Sequence, residues 1–349
     1  MRDPNSDAFQ EHVAAHLAEM HVAGASLVLI RDGELAWVGG FGVADAVTRA
    51  PVTEDTLFML ASVSKLFTGA ALALRVEDGA LGWDDPIHPL LPFEVRHPEH
   101  PEADITLRML LRHESGIIDE DEDIWGNYAP GDPEEPLADF LESYLSPGGS
   151  RYDAANHFGA APGERYSYSN VGFALLGYLV ERSAEQPFDA FCAERIFEPL
   201  GLDAGWFLAD VDEARVAHPH GVGGGVYWRM PHYGYPDYPD GQLRISAPDL
   251  ARFLLAAHPR YGDDLPQLPA APIVRAAWES GLGWKVYDWG DERAYGHGGS
   301  DRGVHTQARI GGDSGDGYVL LTNVRIEGEA EEHHRDCLLR SLRRAAREE

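Results

Sequence analysis

Apolar residues at Phe9, Val13, Leu17 and Met20 recur at helical spacing, so residues 7–21 read as an amphipathic helix. Two apolar runs follow, Ala25–Ile30 and Glu34–Val38, flanking Arg31-Asp32-Gly33; this predicts a β-hairpin closed by an Asp-Gly turn. After Thr56-Leu57-Phe58 the period lengthens. Ser62 to Glu77 reads as a helix with Leu66, Ala70 and Leu74 along one face and Gly79 at its end. Thr106 opens a short helix through Leu111, and Asn170 to Ser183 forms another with Phe173, Leu176, Leu179 and Val180 as its stripe. Near the end, Gly283–Tyr287, Ala294–His297, Thr306–Ile310 and Tyr318–Asn323 read as consecutive strands, before a charged helix over 328–349. Residues 117–165 and 219–241 are rich in Gly, Pro, Asp and aromatics and read as long loops, which in compact enzymes tend to carry function.

This order predicts an α+β protein: one antiparallel sheet built from both termini and flanked by terminal helices, with a mainly helical insertion. The expected division is 1–60 plus 242–349 for the sheet part and 61–241 for the helical part, working as a single catalytic unit. No internal repeat or low-complexity tract interrupts it, and the acidic stretch Asp119–Asp123 reads as a solvated loop.

Composition narrows the function. A net charge of −30 argues against nucleic acid as a partner, because phosphate binding needs clustered Lys and Arg. The acidity reads as solubility; a cation-binding role would require clustered carboxylate ligands that the sequence does not display. No apolar run approaches a membrane span, and Met1 to Asp7 lacks the apolar core of a signal peptide, so the expectation is a cytoplasmic protein, with a removed leader as the alternative. Cys192 and Cys337 are isolated and read as buried free thiols. His113 reads as packing and the His333-His334 pair as part of an exposed helix. No metal or other cofactor is assigned, and the expected partner is a small molecule or short peptide. Of the 28 basic residues only two, Lys65 and Lys285, are lysine. Arg cannot be deprotonated in a protein, whereas Lys can be tuned into a base.

Three segments carry candidate chemistry. Ser62-Val63-Ser64-Lys65 places a hydroxyl and an amine on one helix turn, within an apolar stretch where a lysine needs a reason. A serine hydroxyl becomes a nucleophile only when its proton is taken, so this site is expected to favour the neutral Lys65 amine. With Ser62 opening the helix, its N–H is a free donor suited to an oxyanion. Tyr168-Ser169-Asn170 follows Pro162-Gly163 at a loop-to-helix junction. There Tyr168 can relay a proton, and Asn170 can orient a substrate or the amine, cap the helix, or both. Finally, His297-Gly298-Gly299-Ser300 ends a strand; its glycines allow a substrate backbone to lie close, and the Ser300 N–H is a second oxyanion donor. Each segment alone reads as structural; the three in this order do not.

Together Ser62-Val63-Ser64-Lys65, Tyr168-Ser169-Asn170 and His297-Gly298-Gly299 resemble the three motifs of the serine β-lactamase and penicillin-binding-protein superfamily. The likeness is to its branch of class C β-lactamases, D,D-peptidases and family VIII esterases. Leu110-Leu111-Arg112-His113-Glu114-Ser115-Gly116 and the stretch from Gly241-Gln242-Leu243 to Ala247-Pro248-Asp249-Leu250 are similar too. The resemblance implies an acyl-enzyme on Ser62, proton shuttling by Lys65 and Tyr168, and an oxyanion hole from the Ser62 and Ser300 amides. Lysine is common at the place of His297. Histidine here points to an esterase or a D-amino-acid-directed peptidase, with a class C-like β-lactamase or D,D-carboxypeptidase as the alternative. The rival from another class is a binding relative without turnover. Asn170, His297, Gly298 and Gly299 are the expected substrate contacts. Trp228, within the aromatic loop that also holds Tyr227, Tyr233, Tyr235 and Tyr238, is an expected rim residue, and Arg302 a candidate anion site.

Overall fold

A computed structural model describes residues 3–119, 126–261 and 283–347. Its main sheet has six strands in the spatial order Lys285–Asp288, Arg293–Asp301, Val304–Gly311, Gly317–Thr322, Gly24–Arg31 and Glu34–Gly42. Every neighbouring pair is antiparallel, with Leu27 opposite Leu320 and Gly299 opposite Thr306. The Asp-Gly turn forms as read, with Asp32 and Gly33 both at positive φ (51° and 79°), as a two-residue hairpin of matching twist requires.

Side chains alternate across a strand, so the run Ala25–Ile30 feeds two cores at once. Leu27 and Leu29 face the helices Asp7–Glu19 and Glu329–Ala346, against Phe9, Val13, Leu17, Leu338 and Leu342. Val28 and Ile30 face the opposite core, where the helix Ala247–Ala257 joins the sheet to the helical region.

The nucleophile segment departs from the expected single helix. Ala61–Ser64 forms a 3-10 turn and the α-helix proper runs from Lys65 to Glu77. Nor is that helix amphipathic: every residue from Lys65 to Leu74 is buried. Small residues at Gly69, Ala70, Ala71 and Ala73 let it pack closely against its neighbours, and Phe67 stacks on Phe253 at 3.8 Å. The helix Asn170–Ala184 beside it is likewise buried from Val171 to Val180. The loop reading of 117–165 also needs correcting, because Leu137–Leu145 is a helix buried through Leu137, Phe140, Leu141, Tyr144 and Leu145. Within 219–241, His220–Gly223 and Val226–Arg229 pair as a short hairpin over Gly224-Gly225. Cys192 is buried and free, but Cys337 is half-exposed. Of the acidic run read as a solvated loop, only Asp119 lies within the described residues.

Candidate active site

Ser62 sits where three elements converge. Ala61 has φ = 48°, a strained left-handed conformation for a residue with a Cβ, and it turns the chain sharply into the 3-10 segment. The turn is gripped from both sides. Thr306 Oγ1 donates to the Leu60 carbonyl at 2.6 Å, and Leu60 N–H donates to the Leu243 carbonyl at 2.8 Å. A Cβ at Gly299 would lie 2.5 Å from the Leu60 carbonyl oxygen and 3.0 Å from Ala61 Cβ, so the His-Gly-Gly strand reaches the nucleophile turn only because that residue is glycine. Gly298, whose absent Cβ would point at the Gln307 side chain, faces the other way. The glycine pair therefore serves strand packing as well as any access for substrate.

Two side chains converge on Ser62 Oγ. The Tyr168 hydroxyl donates to it at 2.9 Å and Lys65 Nζ at 3.3 Å. The same ammonium donates to Asn170 Oδ1 at 2.7 Å and to the backbone carbonyl of Asp240 at 2.8 Å. Asn170 is free for this because Ser169 is the helix N-cap, its Oγ accepting from Gly172 N–H at 2.9 Å. By contrast Ser64 is fully buried, with its Oγ accepting from Leu243 N–H.

Charge at Lys65 contradicts the expectation of a neutral amine. Burial alone would push the amine down, but the Asp240 carboxylate, 3.8 Å away and itself buried, outweighs it with help from Tyr168, and Lys65 is held above the ordinary lysine range. Asp240 was not legible as a site residue: it lies 175 positions from Lys65, on the turn Tyr238–Asp240.

Two more residues were missed. Asp119, read with the solvated loop, instead accepts from Ser169 Oγ at 2.7 Å and from the N–H groups of Asn170 and Val171 at 2.5 and 3.2 Å, clamping the Tyr168 junction. Lys285 places its Nζ 4.9 Å from the centre of the Tyr168 ring, with Lys65 Nζ 5.1 Å from the same centre. The rarity of lysine was the only signal for it.

His297 is 2% exposed, its Nδ1 2.6 Å from the Gly298 carbonyl oxygen. Burial, then Lys285 and Lys65, push its imidazole well below the usual histidine range, so it is neutral at pH 7. His113 packs beside Tyr168 at 4.4 Å between ring centres and accepts from Ser169 N–H, and burial lowers it to about 3. His113, Tyr166, Trp284, Lys285 and His297 help line a cavity of about 360 Å³ next to Tyr168. Ser300 is exposed on the strand beyond Gly299.

The other two expected contacts sit apart from this cluster. Arg302 lies over the Tyr128 ring at 4.7 Å, on the turn after the strand, where the Tyr128 hydroxyl donates to Asp301 at 3.2 Å. Trp228 is 53% exposed and its ring covers Gly221 of its own hairpin, whereas Tyr233, Tyr235 and Tyr238 are buried. Among the described residues, no three His, Cys, Asp or Glu are placed to hold a metal ion, and no helix is long and apolar enough to cross a membrane.

Known proteins resemble this chain over most of its length. The β-lactamase family model matches residues 9–339. Penicillin-binding protein 4 of Amycolatopsis lactamdurans is 30% identical over 343 residues, covering 90% of this chain and 84% of that protein. Esterase EstB of Burkholderia gladioli is 32% identical over 212 residues, covering 59% of this chain and 52% of the esterase. Among solved structures, the D-amino acid amidase of Ochrobactrum anthropi SV3 in complex with D-phenylalanine superposes with a TM-score of 0.74 at 20% identity, covering 96% of this chain and 99% of that one. The chain belongs to the β-lactamase family and is a serine hydrolase of its superfamily.

Proposed function

We propose that this hydrolase cleaves small esters or amides through an acyl-enzyme on Ser62, with Lys65 and Tyr168 moving the protons. The observation that carries the reading is the convergence of the Tyr168 hydroxyl and Lys65 Nζ on one partly exposed serine oxygen. Attack by Ser62 Oγ on a carbonyl carbon releases its proton to the Lys65 amine and builds negative charge on the carbonyl oxygen. The amides of Ser62, among the first donors of its turn, and of Ser300 are the proposed partners of that oxygen. Asn170 holds the amine, and Tyr168 passes its proton to the leaving group.

The esterase and amidase likeness favours uncharged ester and amide substrates, as does a neutral imidazole where lysine is common. A second reading, a peptidase acting on short substrates with a free carboxylate, rests on Lys285 beside the same cavity. A fluorophosphonate probe followed by peptide mapping tests the nucleophile. The expected result is a single label on Ser62, lost in Ser62→Ala. Label on Ser64 would overturn the assignment, and no label at all would favour a binding protein.

A further inference from the structure

The Lys65 ammonium has three hydrogens and three acceptors: Asn170 Oδ1, the Asp240 carbonyl and Ser62 Oγ. Its side chain is 0% exposed. To take the Ser62 proton it must first lose one, and a buried group cannot hand it directly to water. Neither an amide oxygen nor a peptide carbonyl can keep a proton. Among the described residues, Asp240 Oδ2, at 3.8 Å, is the carboxylate oxygen within ion-pair distance of Nζ.

Resting on the Ser62–Lys65 reading above, we propose that the Asp240 carboxylate receives a proton from Lys65 when substrate fills the site, leaving a neutral amine to activate Ser62. The N–H bond at Nζ breaks and an O–H bond forms at Asp240, turning an ion pair into an amine and a carboxylic acid with no change in total charge. Nζ then takes the Ser62 proton as Oγ bonds to the acyl carbon; the departing group takes the Tyr168 hydroxyl proton, and Nζ replaces it on Tyr168. In deacylation the amine takes a proton from water and returns it to Ser62 Oγ. Asp240 finally gives its proton back to Lys65. At 3.8 Å the transfer needs a side-chain rotation that brings the oxygen about 1 Å closer, into hydrogen-bond range.

Two features support this assignment. The Asp240 turn is tied to the nucleophile helix, with Thr68 Oγ1 donating to the Pro239 carbonyl at 2.6 Å, so the carboxylate cannot drift away. Exclusion of water by substrate also favours neutral partners over a buried ion pair. The groups facing Asp240 are Lys65 from the helix, Asp119 from the Tyr168 clamp, Asp301 from the strand, and Tyr128, Tyr235 and Asp237 around its own loop. Burial pushes its carboxyl up to about 7; Lys65 opposes the rise, while Asp119 and Asp301 add to it. A carboxylate so easily protonated is a fit acceptor. Asp240 acts through Lys65 and is a positioning residue.

The test is the pH profile of kcat/KM on an uncharged p-nitrophenyl ester for the wild type, Asp240→Asn, Asp240→Glu and Lys65→Ala. Asp240 can accept only while ionised, so wild-type activity should fall about tenfold per pH unit below about pH 7. In Asp240→Asn that limb should disappear, replaced by one tracking direct loss of the Lys65 proton, with at least ~10-fold lower activity at pH 8. Asp240→Glu should restore a limb and most of the rate, and it carries the test if Asp240→Asn does not fold. An Asp240→Asn enzyme faster than wild type at every pH, or one keeping the wild-type limb, overturns the proposal, because Asp240 would then only pin the charge on Lys65. Near-normal turnover in Lys65→Ala would instead sink the Ser62–Lys65 reading itself, whatever Asp240 does.

Discussion

One flank of the site holds the basic groups His113, Lys285 and His297, and the other the acids Asp237, Asp240 and Asp301. Burial pushes both sets toward their uncharged forms. It lowers His113 to about 3, holds His297 far below the histidine range and lowers Lys285. It raises Asp301 to about 6, Asp240 to about 7 and Asp237 well above the carboxylate range. Between them Lys65 alone moves against its burial, because it touches the acidic flank. Burial thus works against charge around the reaction centre of a strongly acidic protein.

The largest effect should come from breaking the clamp that holds Tyr168 and Asn170 between the flanks. Asp119→Ala leaves the Ser169 hydroxyl and the Asn170 and Val171 amides without their acceptor. Bonds to an ionised acceptor are worth more than neutral ones, so urea unfolding should show a loss of about 2–3 kcal/mol. Ester turnover should fall at least ~10-fold, because Tyr168 and Asn170 shift relative to Ser62. Full activity with reduced stability would show that Asp119 supports the helix end only.

That clamp also marks how far the sequence could be read. The sheet, its hairpin and the three motifs were legible because each is local: alternation gives Ala25–Ile30, Asp32-Gly33 gives the turn, and Ser62 and Lys65 lie three apart. Asp119 and Asp240 were not, since their roles come from contacts across 51 and 175 positions. The neutral Lys65 was inferred from the need for a base at Ser62, and burial does lower the amine; what the sequence conceals is the carboxylate that reverses the sign. The helix Leu137–Leu145 was hidden differently: its apolar residues keep helical spacing, but Pro136 and the Ser-Pro-Gly-Gly run at 146–149 made the whole region read as loop.

A smaller effect tests the basic flank. Lys285 lies beside the cavity with the neutral His297, whereas Arg302 is stacked on Tyr128. Lys285→Met should lower kcat/KM about fivefold for esters carrying a carboxylate, equivalent to about 1 kcal/mol for an exposed cation, and leave uncharged esters within about twofold. Arg302→Ala should separate the two substrate types far less. If anionic substrates collapse with Arg302→Ala and ignore Lys285→Met, the anion site belongs to the turn and not to the basic flank described above.

The smallest effect is expected at Trp228, which lies on neither flank. Its ring is 53% exposed and covers Gly221, where a Cβ would lie 2.1 Å away; the contact is within one hairpin, over the Gly224-Gly225 turn. Tyr233 and Tyr235, which share its loop, pack instead on Met59 and Ala61 and so brace the nucleophile turn. An exposed ring on a two-stranded hairpin contributes little to global stability, so Trp228→Ala should change the unfolding free energy by no more than about 0.5 kcal/mol. If the hairpin acts only on itself, relative rates across a series of p-nitrophenyl esters of increasing chain length should also stay within about twofold. A profile that shifts with chain length while the melting temperature holds would instead place Trp228 on the substrate's path. The aromatic loop would then act in two separate parts, its buried tyrosines supporting the turn and its exposed tryptophan selecting the acyl group.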